Sequence, residues 1–137
     1  MSNYHIKHLE EYFQVYRKSV RDPEIFWGEI AEEHFLWRKR WSKVLNWDFS
    51  IPEIKWFEGA QLNITENCID RHLVAKGNNT AIIFEQNNPD EEAVHISYQE
   101  LYERVNRFAN VLKSKGIKKG DRVCIFLPMI PELAVSV

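Results

Sequence analysis

Apolar side chains recur at helical spacing in Ile6, Leu9, Tyr12, Phe13 and Tyr16, with charged residues between them, so the pattern predicts a helix over residues 4–20, from Tyr4 to Val20. Asp22-Pro23-Glu24 then reads as a helix start, with an N-cap, a first-turn proline and a first-turn acid. The helix it opens would carry Ile25, Phe26, Ile30 and Phe35 on one face. Between Trp37 and Gly59 no period holds, and Asn46, Asp48, Ser50 and Pro52 predict an extended segment laid over a larger body. Asn63-Ile-Thr-Glu66 has the form of a capping box, predicting a short helix over residues 64–74 that ends near Gly77-Asn78-Asn79.

The second half is more regular. Residues 80–86 read as a strand, residues 87–92 as a turn and residues 93–96 as a second strand, together a hairpin. Ser97-Tyr-Gln-Glu100 is a better capping box, and the helix it opens places Leu101, Val105, Phe108, Ala109 and Leu112 in one stripe before Gly116 closes it. Residues 123–127, Val-Cys-Ile-Phe-Leu, form an unbroken apolar run suited to a central strand covered on both faces. Pro128 and Pro131 then start another helix that is still apolar and uncapped at Val137, which suggests the front end of something longer. Helix, glycine turn, buried strand, proline and helix form an α/β pattern.

Composition narrows the function classes. The chain has 137 residues, 45% hydrophobic and 28% charged, with a net charge of −2, the profile of one ordinary folded domain. That balance gives no electrostatic reason to expect nucleic acid or an anionic membrane as partner. There is no signal-peptide pattern and no apolar window of about 20 residues, so the expected location is the cytoplasm. Cys68 and Cys124 stand 56 positions apart without metal-site spacing and read as buried, reduced thiols. All five tryptophans (Trp27, Trp37, Trp41, Trp47 and Trp56) fall between positions 27 and 56. They could form an aromatic ligand cage or interface; the simpler reading is large rings covering a core, with a face turned toward further sequence.

Candidate chemistry is sparse. Asp70-Arg71-His72 is the densest polar cluster, but consecutive helical residues diverge and cannot converge on one substrate atom, which favours a structural role. His5, His8, His34 and His95 lack metal-site spacing, so no metal is expected. Lys118-Lys119-Gly120-Asp121 lacks the preceding glycines and following helix of a phosphate loop and reads as a solvated turn whose backbone Asp121 fixes. No residue stands out as catalytic, cofactor-binding or metal-ligating.

Six ordered segments carry a resemblance: Asp22-Pro-Glu-Ile-Phe-Trp27, then Trp56-Phe-Glu-Gly59 with Leu62-Asn63, then Asn67-Cys-Ile-Asp-Arg-His72. Ile96-Ser-Tyr-Gln-Glu-Leu101, Gly116-Ile-Lys-Lys-Gly-Asp-Arg122 and Leu127-Pro-Met-Ile-Pro-Glu132 complete the series. Together they resemble the start of the AMP-forming acetyl-CoA synthetases, within the acyl-adenylate-forming superfamily. The resemblance covers nearly the whole chain. The glycine-lysine turn and the Ser-Tyr-Gln-Glu-Leu helix start are shared across the superfamily, whereas the Asn-Cys-Ile-Asp-Arg-His block and its flanks narrow it to the short-chain CoA ligases.

The resemblance implies an N-terminal helical and extended cap over residues 1–77, followed over residues 78–137 by the first hairpin, helix and buried strand of a large α/β AMP-binding domain. It implies an acetate–CoA ligase using ATP, CoA and Mg²⁺, with propionyl-CoA or another short-chain acyl-CoA synthetase as the alternative, and a non-catalytic interaction module as a further one. The family's phosphate loop, adenylate motifs, acyl pocket, hinge acid and catalytic lysine lie downstream of this region, so no catalytic residue is carried over and the segment alone is expected to be inactive. Its partners would be the remainder of its own chain and, in the whole enzyme, acetate, ATP and CoA. An interior strand without its sheet neighbours also predicts exposed apolar surface and self-association, near the Trp-rich segment or the C-terminus.

Overall fold

The structure, a computed structural model, describes residues 6–137. The expected helix start at Tyr4, and His5 with it, lie outside these residues. Helix α1 runs Leu9–Arg21 and α2 runs Pro23–His34. The start of α1 is held by a reciprocal pair: His8 Nδ1 accepts from the Glu11 N–H at 3.2 Å, and the Glu11 carboxylate accepts from the Lys7 N–H at 2.8 Å. Asp22 takes the N-cap position of α2, but its side chain makes no capping bond, so the start rests on Pro23 and on the Phe26 N–H bonded to the Asp22 carbonyl.

The chain divides into two compact units, residues 1–64 and 65–137. In the first, the segment expected to be irregular holds an antiparallel hairpin, β1 (Lys43–Asp48) and β2 (Glu53–Glu58). This corrects the expectation of an extended covering segment. Leu45 stands opposite Trp56 and Trp47 opposite Ile54, so alternate positions place an apolar set on one face. The Asp48 carboxylate accepts from both the Ser50 N–H and the Ser50 hydroxyl, which shapes the connecting turn. Gly28 on α2 lies so near the hairpin that an added Cβ would meet Val44 Cγ2 at 3.2 Å, and Gly28, Ala31 and Leu45 are the buried residues there.

The second unit is ordered by its caps. The single helix expected over residues 64–74 is broken: α3 spans Ile64–Cys68, a 3₁₀ turn takes Asp70–His72, and α4 spans Leu73–Lys76. The break falls at Ile69, whose dihedrals (φ −122°, ψ −66°) leave the helical region while its side chain is buried. Strands β3 (Thr80–Phe84) and β4 (Val94–Ser97) form the expected hairpin, with an irregularity between Thr80 and Ile82. Helix α5 (Tyr98–Ser114) begins with the expected capping box, Ser97 Oγ accepting from the Glu100 N–H and the Glu100 carboxylate from the Ser97 N–H. It ends at Gly116, whose φ of +82° lets the Gly116 and Ile117 N–H groups return to the Lys113 and Leu112 carbonyls.

Ile69, Ile96 and Leu101 form the buried centre of this unit, with Ala81, Ile82, Tyr102, Val105 and Val135 packed around them. Val135 belongs to α6 (Pro131–Ser136), the short helix that begins at the expected proline.

Two further expectations fail. Residues 123–127 form no strand: Phe126 is 99% exposed and Val123, Ile125 and Leu127 are also exposed. A strand requires a neighbour for its backbone groups, and the β3–β4 ladder does not extend to this run. Both cysteines are free and exposed rather than buried. Cys124 lies in that unpaired run, and Cys68 ends a single helical turn whose neighbours Asn67 and Ile69 take the buried positions.

Candidate functional site

The aromatic cluster of the first unit is the most developed binding-type surface. Trp37 is fixed by its indole N–H, which donates to the Ala31 carbonyl at 2.8 Å. Around it stand Trp41 (ring centroids 5.1 Å apart), Phe57 (5.4 Å) and Phe35 (6.2 Å), while Trp27 meets Trp56 edge-on at 6.5 Å. An apolar groove of about 290 Å³ is lined by Trp27, Ile30, Ala31, Phe35, Trp37 and Phe57, with Leu62 at one side. Phe57 has a φ of +51°, a conformation that costs a bulky residue backbone strain, and its ring touches Trp37, Trp41 and Trp56. The sequence marks the tryptophans; it does not mark Phe57, whose turn is signalled only by the Gly59 that follows at φ +75°.

The groove is apolar throughout, and no titratable side chain lines it. It can exclude water and bind an apolar side chain; it offers no nucleophile, acid or base. Trp47 is part of a separate contact with Phe49 at the hairpin turn, with centroids 4.6 Å apart, so four of the five tryptophans belong to the cluster.

Asp70, Arg71 and His72 do not converge. Arg71 donates to Asn67 Oδ1 at 3.4 Å, His72 lies beside the Tyr98 ring at 5.4 Å, and the 3₁₀ turn aims the three differently. A polar hollow of about 270 Å³ lies between residues 73–79 and Gln99. The first N–H groups of α5 beside it are already used: Tyr98 donates to the Asn79 carbonyl, Gln99 to the Gly77 carbonyl and Glu100 to Ser97. The lysine turn behaves as expected, with the Lys118 N–H donating to Asp121 Oδ2 at 2.7 Å and the Asp121 N–H to the Lys118 carbonyl.

Electrostatics agree with structural roles. Asp48 is held below its ordinary carboxylate range by the hydroxyl and N–H of Ser50, and Glu100 by the N–H and hydroxyl of Ser97. Lys55 is raised by its hydrogen bond to Glu53 and by that carboxylate's charge. Each shift belongs to a turn, a cap or a surface pair rather than a cleft. Among the described residues no three His, Cys, Asp or Glu side chains gather as metal ligands.

Residues 69–137, half of the chain, match the model of the AMP-binding enzyme family, and the chain belongs to that family. Residues 12–68 match the model described as the acetyl-coenzyme A synthetase N-terminus. Among curated relatives, the acetyl-coenzyme A synthetase of Halorhodospira halophila is 50% identical over 93% of this chain and 20% of its own length. That of Magnetococcus marinus is 52% identical over the same shares. A solved acetoacetyl-CoA synthetase from Streptomyces lividans superposes with a TM-score of 0.78 at 29% identity, over 88% of this chain and 18% of that one. The chain thus spans about one fifth of the length of the curated relatives it matches, and its mixed α/β fold is that of the corresponding part of an acyl-CoA synthetase. No helix among the described residues is long and apolar enough to cross a membrane.

Proposed function

We propose that this chain is the N-terminal part of an AMP-forming acetate–CoA ligase. The observation that carries the reading is the unbroken succession of the acetyl-coenzyme A synthetase N-terminus and AMP-binding matches, with about half of the residues identical to acetyl-coenzyme A synthetases across 93% of the chain. The whole enzyme would join acetate to ATP as acetyl-AMP, releasing pyrophosphate, and pass the acetyl group to the thiol of CoA. Adenylation is needed because a carboxylate is a poor electrophile and acquires a leaving group only as the mixed anhydride.

In this proposal residues 1–77 act as the N-terminal cap and residues 78–137 open the AMP-binding domain. No residue of the chain is catalytic, and none contacts ATP, CoA or Mg²⁺. Its contribution is architectural, and its setting is the cytoplasm. Acetate is preferred over propionate because the relatives it matches are named for acetyl-coenzyme A. The test is a replacement: residues 1–137 take the place of the matching segment in the Halorhodospira halophila enzyme, and acetyl-CoA formation from acetate, ATP and CoA is measured. Acetate-dependent acetyl-CoA formation by a folded chimera is expected. A folded chimera without ligase activity would overturn the reading.

A further inference from the structure

Helix α1 has an apolar stripe that no described residue covers. Leu9, Phe13, Tyr16 and Val20 follow the spacing +4, +3, +4 and are 67%, 44%, 54% and 62% exposed. This alternation of three and four is the spacing of a coiled-coil seam, with Leu9 and Tyr16 at d positions and Phe13 and Val20 at a positions. The stripe does not serve the packing of α1 on α2. Glu11, Val15 and Lys18, about half a turn away around the helix, together with Ile6 just before it, line the groove that α1 shares with Phe26, Glu29 and Ile30 of α2, and Lys18 pairs with Glu29 at 2.5 Å.

The charges beside the stripe choose the partner and its direction. Glu10 and Arg17 occupy the two e positions, 3.8 Å apart within one helix and both largely exposed. The g positions within the helix hold Tyr12 and Ser19, which carry no charge. In a parallel pair e faces g and no ion pair forms; in an antiparallel pair e faces e, so Glu10 of each helix faces Arg17 of the other. We propose that two copies of this chain associate through α1, antiparallel and two-fold symmetric, burying the Leu9-Phe13-Tyr16-Val20 stripe between two reciprocal Glu10–Arg17 pairs. The interface is isologous, as closed dimers require.

The experiment is sedimentation velocity on the purified chain over a concentration series, with helix content followed by circular dichroism. A reversible monomer–dimer equilibrium is expected. Glu10→Arg and Arg17→Glu should each weaken it about tenfold by setting like charges opposite one another, and Phe13→Glu should abolish it without loss of helix. The decisive arm mixes the first two variants. One chain then carries two positive e residues and the other two negative, so the mixture should associate about as tightly as the parent while each variant alone does not. A monomer at every concentration, a dimer that none of the three substitutions affects, or a mixture no tighter than its components would overturn the proposal. Binding of a monomeric chain to phosphatidylserine–phosphatidylcholine vesicles, lost in Phe13→Glu, would assign the stripe to a lipid surface and overturn it as well.

Discussion

The two units bury their chain by different means. In residues 65–137 the centre is aliphatic, with Ile69, Ile96 and Leu101 closed over by a hairpin and a doubly capped helix. Among the described residues 6–64 the buried positions are Gly28, Ala31 and Leu45, beside aromatic rings that remain partly exposed. The first arrangement concentrates stability in a few side chains. The second spreads it over ring edges and depends on how closely a helix can approach a hairpin. Substitutions at the two centres should therefore differ in size and in which unit responds.

The largest effect should come from Ile96→Ala. Ile96 has no exposed surface, and removing its side chain should cost about 2–5 kcal/mol. In urea titrations followed by amide exchange, β3, β4 and α5 should lose protection while α2 and the first hairpin keep theirs. Equal loss in both units would show that the chain unfolds as one cooperative body. Next is Gly28→Val, which pushes a branched side chain against Val44 where even a Cβ would stand at 3.2 Å; a cost of about 1–3 kcal/mol is expected. Tryptophan fluorescence should report it, and an unchanged emission and midpoint would contradict the close approach.

A smaller effect is expected at the cap of α5. Ser97→Ala should cost about 1 kcal/mol and speed exchange of the Glu100 amide. The same site sets a pH dependence. Because Ser97 holds the Glu100 carboxyl below its ordinary value of 4.5, the contribution is present above that value and lost as the pH falls through the lower, folded one. Glu100→Gln should flatten this acid limb of the stability profile. The smallest effect is Phe126→Asp: with the ring 99% exposed, the unfolding midpoint should move by no more than about 0.5 kcal/mol. A clear loss of stability would mean that this run is covered in solution.

What could be read from the sequence follows the range of the interactions. Helix α5 was legible from Ser97 to Gly116 because its capping box, stripe and left-handed glycine all act within a few residues. The β3–β4 hairpin was legible for the same reason. The first hairpin was missed although Leu45 and Trp47 alternate with Asn46 and Asp48, and Ile54 and Trp56 with Glu53 and Lys55. Val44 and Phe57, which fall outside that phase, and the shift from odd to even positions across the turn hid the period of two. Residues 123–127 fail in the opposite sense: an apolar run encodes burial, but a strand forms only beside another strand. The break at Ile69 was invisible because the Asn63–Glu66 start signals where a helix begins and not how far it runs. At the candidate site the tryptophans were evident and the groove was not, because Phe57 enters it through a backbone conformation that its own residue type disfavours.

The central claim is that this chain supplies scaffold to an adenylate-forming enzyme and none of its reacting groups. Acetate-dependent exchange of labelled pyrophosphate into ATP, measured with the purified 137-residue chain, tests it directly. No exchange above a protein-free control is predicted at any protein concentration; acetate-dependent exchange that scales with the chain would contradict the account.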